Sequence, residues 1–324
     1  MSLKSKVLAE LERSAGRDVS GQTMADKLNV SRSAVCKAVE ALKSAGYKIT
    51  SRTNRGYCLD GGTLSASVIA DHLPEQYRSL KIFALRDTDS TNNEAKRLLA
   101  DGLDTNALIV ADSQTSGRGR RGRSFYSPPD SGLYMSLILR KDLALADGLT
   151  LTTLTAVAVS RVIRRLTGKL PAIKWVNDIY LGDKKICGIL TEAVTNIESG
   201  RIDSVVIGIG INVNTADFPA ELRSTAGSLE TNSLTRGELA AAVAGEVLTM
   251  TDDISNRSYL DEYRELSMVI GKNIAFYRIN TVQYAAAVGI DNSGGLIVRL
   301  QDGSEETLSS GEITVRLTEN SDDN

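Results

Sequence analysis

Between two apolar, strand-like runs at 107–111 and 132–139 stands Gln114-Thr115-Ser116-Gly117-Arg118-Gly119-Arg120-Arg121-Gly122-Arg123. Three glycines and four arginines within seven residues cannot lie in a core, yet the flanking runs place them inside a folded domain. Any fold this chain adopts must therefore turn a glycine–arginine segment outward between two of its own strands. Glycine lets backbone approach a ligand closely, and arginine offers a planar fork of donors suited to phosphate. An RG-rich tail that binds RNA or stays unfolded has a similar composition. The position between strands favours a ligand loop that orders around phosphates.

A chain of 324 residues has room for two or three domains, and 42% hydrophobic with 24% charged residues is a globular balance. No run approaches the length that crosses a bilayer, and the start, Met1 to Lys6, lacks the apolar stretch of a secretory signal, so a cytoplasmic protein is expected. Cys36, Cys58 and Cys187 are too scattered for a disulfide framework or a metal-spaced pair. The single histidine, His72, excludes a His-rich metal site and reads as a surface residue. Chemistry is left to Lys, Arg, Asn, Asp and backbone groups, which suits charge stabilisation at phosphates.

Charge is unevenly placed. Residues 1–60 carry eleven Lys and Arg against six Asp and Glu, a surplus of +5 that leaves −7 on the rest of a chain whose total is −2. Leu3, Val7, Leu8 and Leu11 form a helical stripe; Ser20 is placed to cap a second helix with Met24, Ala25 and Leu28 inward. Asn29 suits a tight left-handed turn, Ser31 caps a third helix with Val35, Val39 and Leu42 inward, and Gly46 ends it. The outer face of that third helix shows Arg32, Ser33, Lys37 and Lys43. A hairpin of 47–49 with 57–59 would carry Arg52, Asn54 and Arg55 near its tip. A protein-contact domain shares the stripes, but cap, turn, basic helix and basic wing in this order favour a winged helix-turn-helix that binds DNA through Arg32, Ser33, Lys37, Arg52 and Arg55.

After a junction at 60–63, strands are expected at 80–85, 107–111, 132–139, 173–175, 186–193 and 205–213, with helices at 92–99 and 149–166. The mixture is α+β rather than a regular alternation. Polar clusters interrupt it. Asp89-Ser90-Thr91-Asn92 sits at a strand-to-helix junction, where alone it reads as a cap. Lys174-Trp175-Val176-Asn177-Asp178 precedes Lys185-Ile186-Cys187-Gly188, a hairpin that presents a lysine beside a glycine. Gly208-Ile209-Gly210-Ile211-Asn212-Val213-Asn214 puts glycines and asparagines into a β-branched strand, a mark of close approach by a ligand or another backbone. Short strands at 273–276, 283–289, 295–300 and 305–308 follow, with Asp291-Asn292-Ser293-Gly294-Gly295 and Asp302-Gly303 as turns.

These clusters, in this order, closely resemble the biotin–protein ligases, and the basic module ahead of them resembles the bifunctional ligase/repressor form, over nearly the whole chain. The resemblance implies a winged helix-turn-helix at 1–62, a class II synthetase-like α+β catalytic domain at 63–270 and an SH3-like β-barrel at 271–324. It implies that biotin is activated with ATP and Mg²⁺ to biotinyl-5′-AMP and transferred to a lysine of a biotin carboxyl carrier domain. Ser90, Thr91, Asn92 and Gln114 would hold the biotin rings, while Gly117, Arg118, Gly119, Arg120 and Arg121 close over the adenylate and Phe125 covers it. Lys185 would meet the biotin carboxylate, with Arg118 and Arg120 as further catalytic cations. Asn177, Asp178 and Asn212 would sit near the triphosphate and its Mg²⁺, Lys174 would bind the biotin or adenylate, and Gly188 and Gly210 would leave room for the ligand. It also implies an adenylate-bound homodimer on operator DNA and no membrane attachment. Val176 stands where the family usually has proline, Phe125 where tryptophan is frequent, and Cys36 where the recognition helix often has an aromatic. Two rivals share much of this pattern: a lipoate or octanoate ligase, and a transcription factor whose ligase-like domain only senses a ligand.

Overall fold

The computed structural model describes residues 3–14, 17–44, 47, 49–53, 55–59, 64–140, 147–195, 202–231, 234–278, 281–309 and 316–317. The expected helix stop at Gly46, the wing residue Asn54 and the junction at 60–63 lie outside these.

Three helices, α1 (Leu3–Arg13), α2 (Gly21–Leu28) and α3 (Arg32–Ser44), and a hairpin of β1 (Ile49–Arg52) with β2 (Gly56–Leu59) open the chain. The local chemistry is as the sequence suggests. Ser20 Oγ accepts from Gln22 N, Asn29 adopts the left-handed conformation (φ 53°, ψ 50°), and Ser31 Oγ accepts from Ala34 N. Val7, Leu11, Met24, Val35, Val39, Leu42, Ile49 and Leu59 form a core of their own.

After α4 (Ala66–His72), a mixed sheet begins with β3 (Lys81–Thr88), α5 (Thr91–Ala100), β4 (Ala107–Gln114) and β5 (Gly132–Leu139). It continues through α6 (Asp147–Thr167), β6 (Ala172–Lys174), β7 (Asp178–Leu181), β8 (Lys184–Thr195) and β9 (Ile202–Asn212). The strand order is β3-β4-β5-β9-β8-β7-β6; only β3 and β4 run parallel. In β4, Ala107 and Ile109 face α5, whereas Leu108 and Val110 join the larger core with α6. Coverage on both faces explains why β5 is buried along its whole length and apolar but for Ser136. Several expected bounds move: β3 runs on to Thr88 and β4 to Gln114, β8 extends at both ends, β6 stops at Lys174, so Trp175 lies in a turn, and β9 starts at Ile202 and stops at Asn212.

Helices α7 (Arg236–Asp252) and α8 (Tyr259–Glu265) complete this layer. Periodicity does not single out α7, because it is apolar nearly all round and is buried accordingly. The last strands, β10 (Asn273–Arg278), β11 (Thr281–Ile290), β12 (Leu296–Leu300), β13 (Glu305–Leu308) and β14 (Arg316–Leu317), make a small antiparallel sheet ordered β13-β12-β11-β10-β14. Its Ile274, Phe276, Leu296 and Val298 belong to the same apolar core as the central sheet. Among the described residues no helix is long and apolar enough to cross a membrane.

Candidate active site

One cavity opens over the centre of the seven-stranded sheet, where the glycine–arginine loop, the β3–α5 junction and strands β8 and β9 converge. Its wall includes Ser90, Thr91, Asn92, Gln114, Arg118, Gly119, Arg120, Arg121, Phe125, Lys174, Asn177, Asp178, Lys185, Gly188 and Gly210. Segments far apart in sequence therefore meet at one place.

At one end lies the β3–α5 junction. Ser90 occupies the N-cap position of α5, but its side chain makes no cap hydrogen bond, so the plain cap reading does not describe it. Thr91 N donates to Gln114 Oε1 at 2.8 Å, and Gln114 Nε2 donates to Ser127 Oγ at 2.9 Å, which fixes the amide's orientation. Asn92 is nearly buried, with its amide against Gly208, where a β carbon would collide with it.

The loop is folded tightly on itself. Phe125 N donates to Gly117 O at 2.8 Å and Gly119 N to Arg123 O at 2.7 Å. Gly117 lies outside the cavity wall, packed so closely that a β carbon would strike Phe125 O and Ser127 Oγ. Its absence of a side chain serves the loop. Arg120 reaches inward and donates to Asn177 Oδ1 at 3.1 Å. Burial pulls its guanidinium below the usual range, with nearby Asp178 opposing that.

Lys185 Nζ lies 2.7 Å from Asp178 Oδ1. Gly188 and Gly210 face each other across β8 and β9, and the room they leave is taken by side chains of the chain itself. The Phe125 ring would meet a β carbon at Gly210 at 2.6 Å, and Lys185 Nζ one at Gly188 at 3.3 Å. Lys174 Nζ stands 5.8 Å from the Tyr180 ring centroid, and burial pushes the Tyr180 hydroxyl up to about 12. Asn177 Nδ2 donates to Asp178 Oδ1 and to Ile189 O. Asn212 differs from the expectation: it lies outside the cavity wall, buried, with Nδ2 donating to Gly227 O at 2.9 Å. The Trp175–Val176 peptide is cis.

Sequence reasoning passed over several wall residues, Gly208 and Met135 among them. Gly208 was legible, because its spacing of two from Gly210 puts both on one face of β9. Behind the wall, Ser136 and Glu192 bond to Asn92. Glu192 shares a face of β8 with Gly188 and Leu190 and is the acidic residue of that strand.

On the amino-terminal module, Arg32, Ser33 and Lys37 are exposed along α3, and Arg55 is exposed at the hairpin. Arg52 is held by Asp18 at 3.2 Å.

Comparison with known proteins agrees with this layout. Residues 84–212 match the Biotin/lipoate A/B protein ligase family, residues 4–58 an HTH domain, and residues 269–316 the Biotin protein ligase C terminal domain. The Bifunctional ligase/repressor BirA of Bacillus subtilis is 36% identical over 317 residues, 94% of this chain and 96% of that protein. Its counterpart in Escherichia coli is 28% identical over 93% of this chain and 94% of its own length. The solved biotin protein ligase of Aquifex aeolicus, in complex with biotin and ATP, superposes with a TM-score of 0.61 at 25% identity, covering 74% of this chain and 99% of that one. Matched almost end to end by such relatives, the chain belongs to the biotin protein ligase family in its bifunctional ligase/repressor form.

Proposed function

We propose that this protein activates biotin with ATP to biotinyl-5′-AMP, transfers the biotinyl group to a lysine of a biotin carboxyl carrier domain, and as an adenylate-bound dimer represses transcription at an operator. The observation that carries the ligase reading is the meeting of Lys185, Arg120 and Asp178 with Ser90, Thr91 and Gln114 in a single cavity. In the first step a biotin carboxylate oxygen bonds to the α-phosphorus while the bond to pyrophosphate breaks. Two anions must approach, so the main task is neutralising charge and holding alignment, which needs no histidine.

In this reading Lys185 meets the carboxylate, with Asp178 keeping its ammonium in place, while Arg118, Arg120 and Arg121 face the phosphates beside Gly117 and Gly119. Ser90, Thr91, Asn92 and Gln114 hold the rings, and Phe125, lodged over Gly210, shields the mixed anhydride from water until the acceptor lysine attacks its carbonyl carbon and AMP leaves. Mg²⁺ would enter on the ATP phosphates and neutralise charge there. Asp178 and Asn177 fit that limited share, since such an ion commonly takes only one or two protein carboxylates. Asn212 lies outside the cavity wall and so does not share this role.

We assign residues 1–62 to DNA binding, 63–270 to catalysis and 271–324 to the small carboxy-terminal sheet. Exposed Arg32, Ser33 and Lys37 on α3 suit base and phosphate contact. Dimerisation follows as linkage: a ligand that prefers the dimer-competent state shifts the population toward it. ATP and operator DNA meet in the cytoplasm, the location proposed.

The test is pyrophosphate release by the purified protein with Mg·ATP and either biotin or lipoate. Release with biotin is expected. Release with lipoate alone would move the chain to the lipoate branch of its family, and release with neither would make it a ligand-sensing repressor.

A further inference from the structure

Lys185 and Gly188 both line the cavity, although side chains an odd number of positions apart on a strand point to opposite faces. A bulge reconciles this. Tyr180 pairs with Lys185 and Ile179 with Cys187, so Ile186 is the extra residue on β8 and the alternation reverses there. Ile186 is buried in the core, and Lys185 comes to the face that carries Gly188 and Leu190. In a regular strand Lys185 would share a face with Cys187, which belongs to that same core.

Strand β9 does not cover this stretch, because its pairing with β8 begins at Cys187, opposite Ile211. The edge beyond is taken by residues 225–227. Lys185 N donates to Thr225 O at 2.8 Å, Gly227 N donates to Lys185 O at 2.9 Å, and Ala226 forms a parallel bridge with Lys185. Further contacts hold this segment in turn. Asn212 Nδ2, at the end of β9, donates to Gly227 O at 2.9 Å, and Lys184 Nζ donates to Ser224 O at 2.6 Å. The approach is so close that a β carbon on Gly227 would meet Lys184 Cβ at 2.6 Å. Neither atom is the loose end of a side chain, so a larger residue at 227 must move backbone.

We propose that Gly227, anchored by Asn212, is a positioning residue for Lys185: residues 225–227 supply the strand edge that β9 leaves open and hold the bulge that turns Lys185 toward the ligand carboxylate. This rests on the reading above, in which Lys185 meets the carboxylate of biotin. A bulge disrupts the ladder on its own side, here toward β7, so the bonds from the opposite edge fix the Lys185 backbone. Gly227 and Asn212 both lie outside the cavity wall and act through that backbone. A side chain at 227 pushes the segment off β8, Lys185 loses both bonds, and its ammonium is no longer held at the carboxylate.

The test is equilibrium binding of biotin and of biotinol, its uncharged alcohol, to the full chain without nucleotide. The two ligands differ only at the end that Lys185 meets, and leaving out ATP keeps any contact between the segment and nucleotide from contributing. Gly227→Ala should weaken biotin about tenfold, the lower end for a hydrogen bond to a charged group, and leave biotinol within about twofold, which also shows that the pocket is folded. Asn212→Ala, which adds no bulk, should shift the ratio of the two affinities in the same direction, and it decides alone if Gly227→Ala does not fold. In a Lys185→Ala background Gly227→Ala should cost nothing further, because the group it positions is gone. Unchanged biotin binding in either variant, equal losses for biotin and biotinol, or a full additional loss in the Lys185→Ala background overturns the proposal. If Lys185→Ala itself weakens both ligands equally, the assignment of Lys185 to the carboxylate falls, and the inference with it.

Discussion

At the residue scale, the site depends on cations whose positions are held by specific partners. Lys185 is fixed by Asp178 at 2.7 Å and stands where Gly188 leaves space for it. Lys185→Ala should cost on the order of 2–4 kcal/mol in the adenylation barrier, by analogy with loss of an oxyanion-hole donor. Pyrophosphate release and circular dichroism check this: turnover should collapse while the folded spectrum persists. Glu192 gives a pH prediction. Burial pushes its carboxyl up, but hydrogen bonds from Lys96 and Asn92 and the Lys96 and Arg118 charges outweigh that and hold it below the usual range. A folded-state value below the unfolded one stabilises the fold above the unfolded value, about 4.3 for Glu, and that stabilisation is lost as pH falls through the folded value. Urea midpoints should therefore place Glu192→Gln below the wild type at pH 7, with the gap closing under acid conditions.

Elements carry the division of labour. Helix α3 is fixed from behind by Val35, Val39 and Leu42 and leaves Arg32, Ser33 and Lys37 exposed. Arg32→Ala should weaken operator binding and reduce its log–log salt slope by about 1 if Arg32 meets a phosphate. Ligase turnover of the same variant should be intact, and an equal loss of both would argue against separate modules. Most of these elements were legible. Caps at Ser20 and Ser31 and the left-handed Asn29 act within a few residues, so sequence alone reveals them. Helix α7 was not legible, because its burial on nearly every side erases the amphipathic period that marks a helix.

Across the whole molecule, the amino-terminal module has its own core, whereas the central and carboxy-terminal sheets share one. Trp175 Nε1 donates to Gly294 O at 2.9 Å, so the small sheet braces the segment that bears Asn177 and Asp178, and Arg264 Nε on α8 donates to Ile290 O at 2.9 Å. Trp175→Phe keeps the ring but removes the donor and should cost about 1 kcal/mol of stability. Hydrogen exchange should show the two sheets opening as one unit and residues 3–59 as another. Separate opening of the small sheet would contradict the shared core.

What the sequence determined by itself was whatever acts locally or by composition: the basic winged module, the strands buried on both faces, and the glycine–arginine loop that no core can hold. Tertiary structure decided which of those residues share a cavity. Asn212 lies two positions beyond Gly210, on the same face of β9, yet one lines the wall and the other bonds to Gly227. Gly188 and Gly210 were expected to make room for a ligand, and the structure fills that room with Phe125 and Lys185. Spacing along a chain constrains which way a side chain points. What it meets depends on segments remote in sequence, and only packing brings those together.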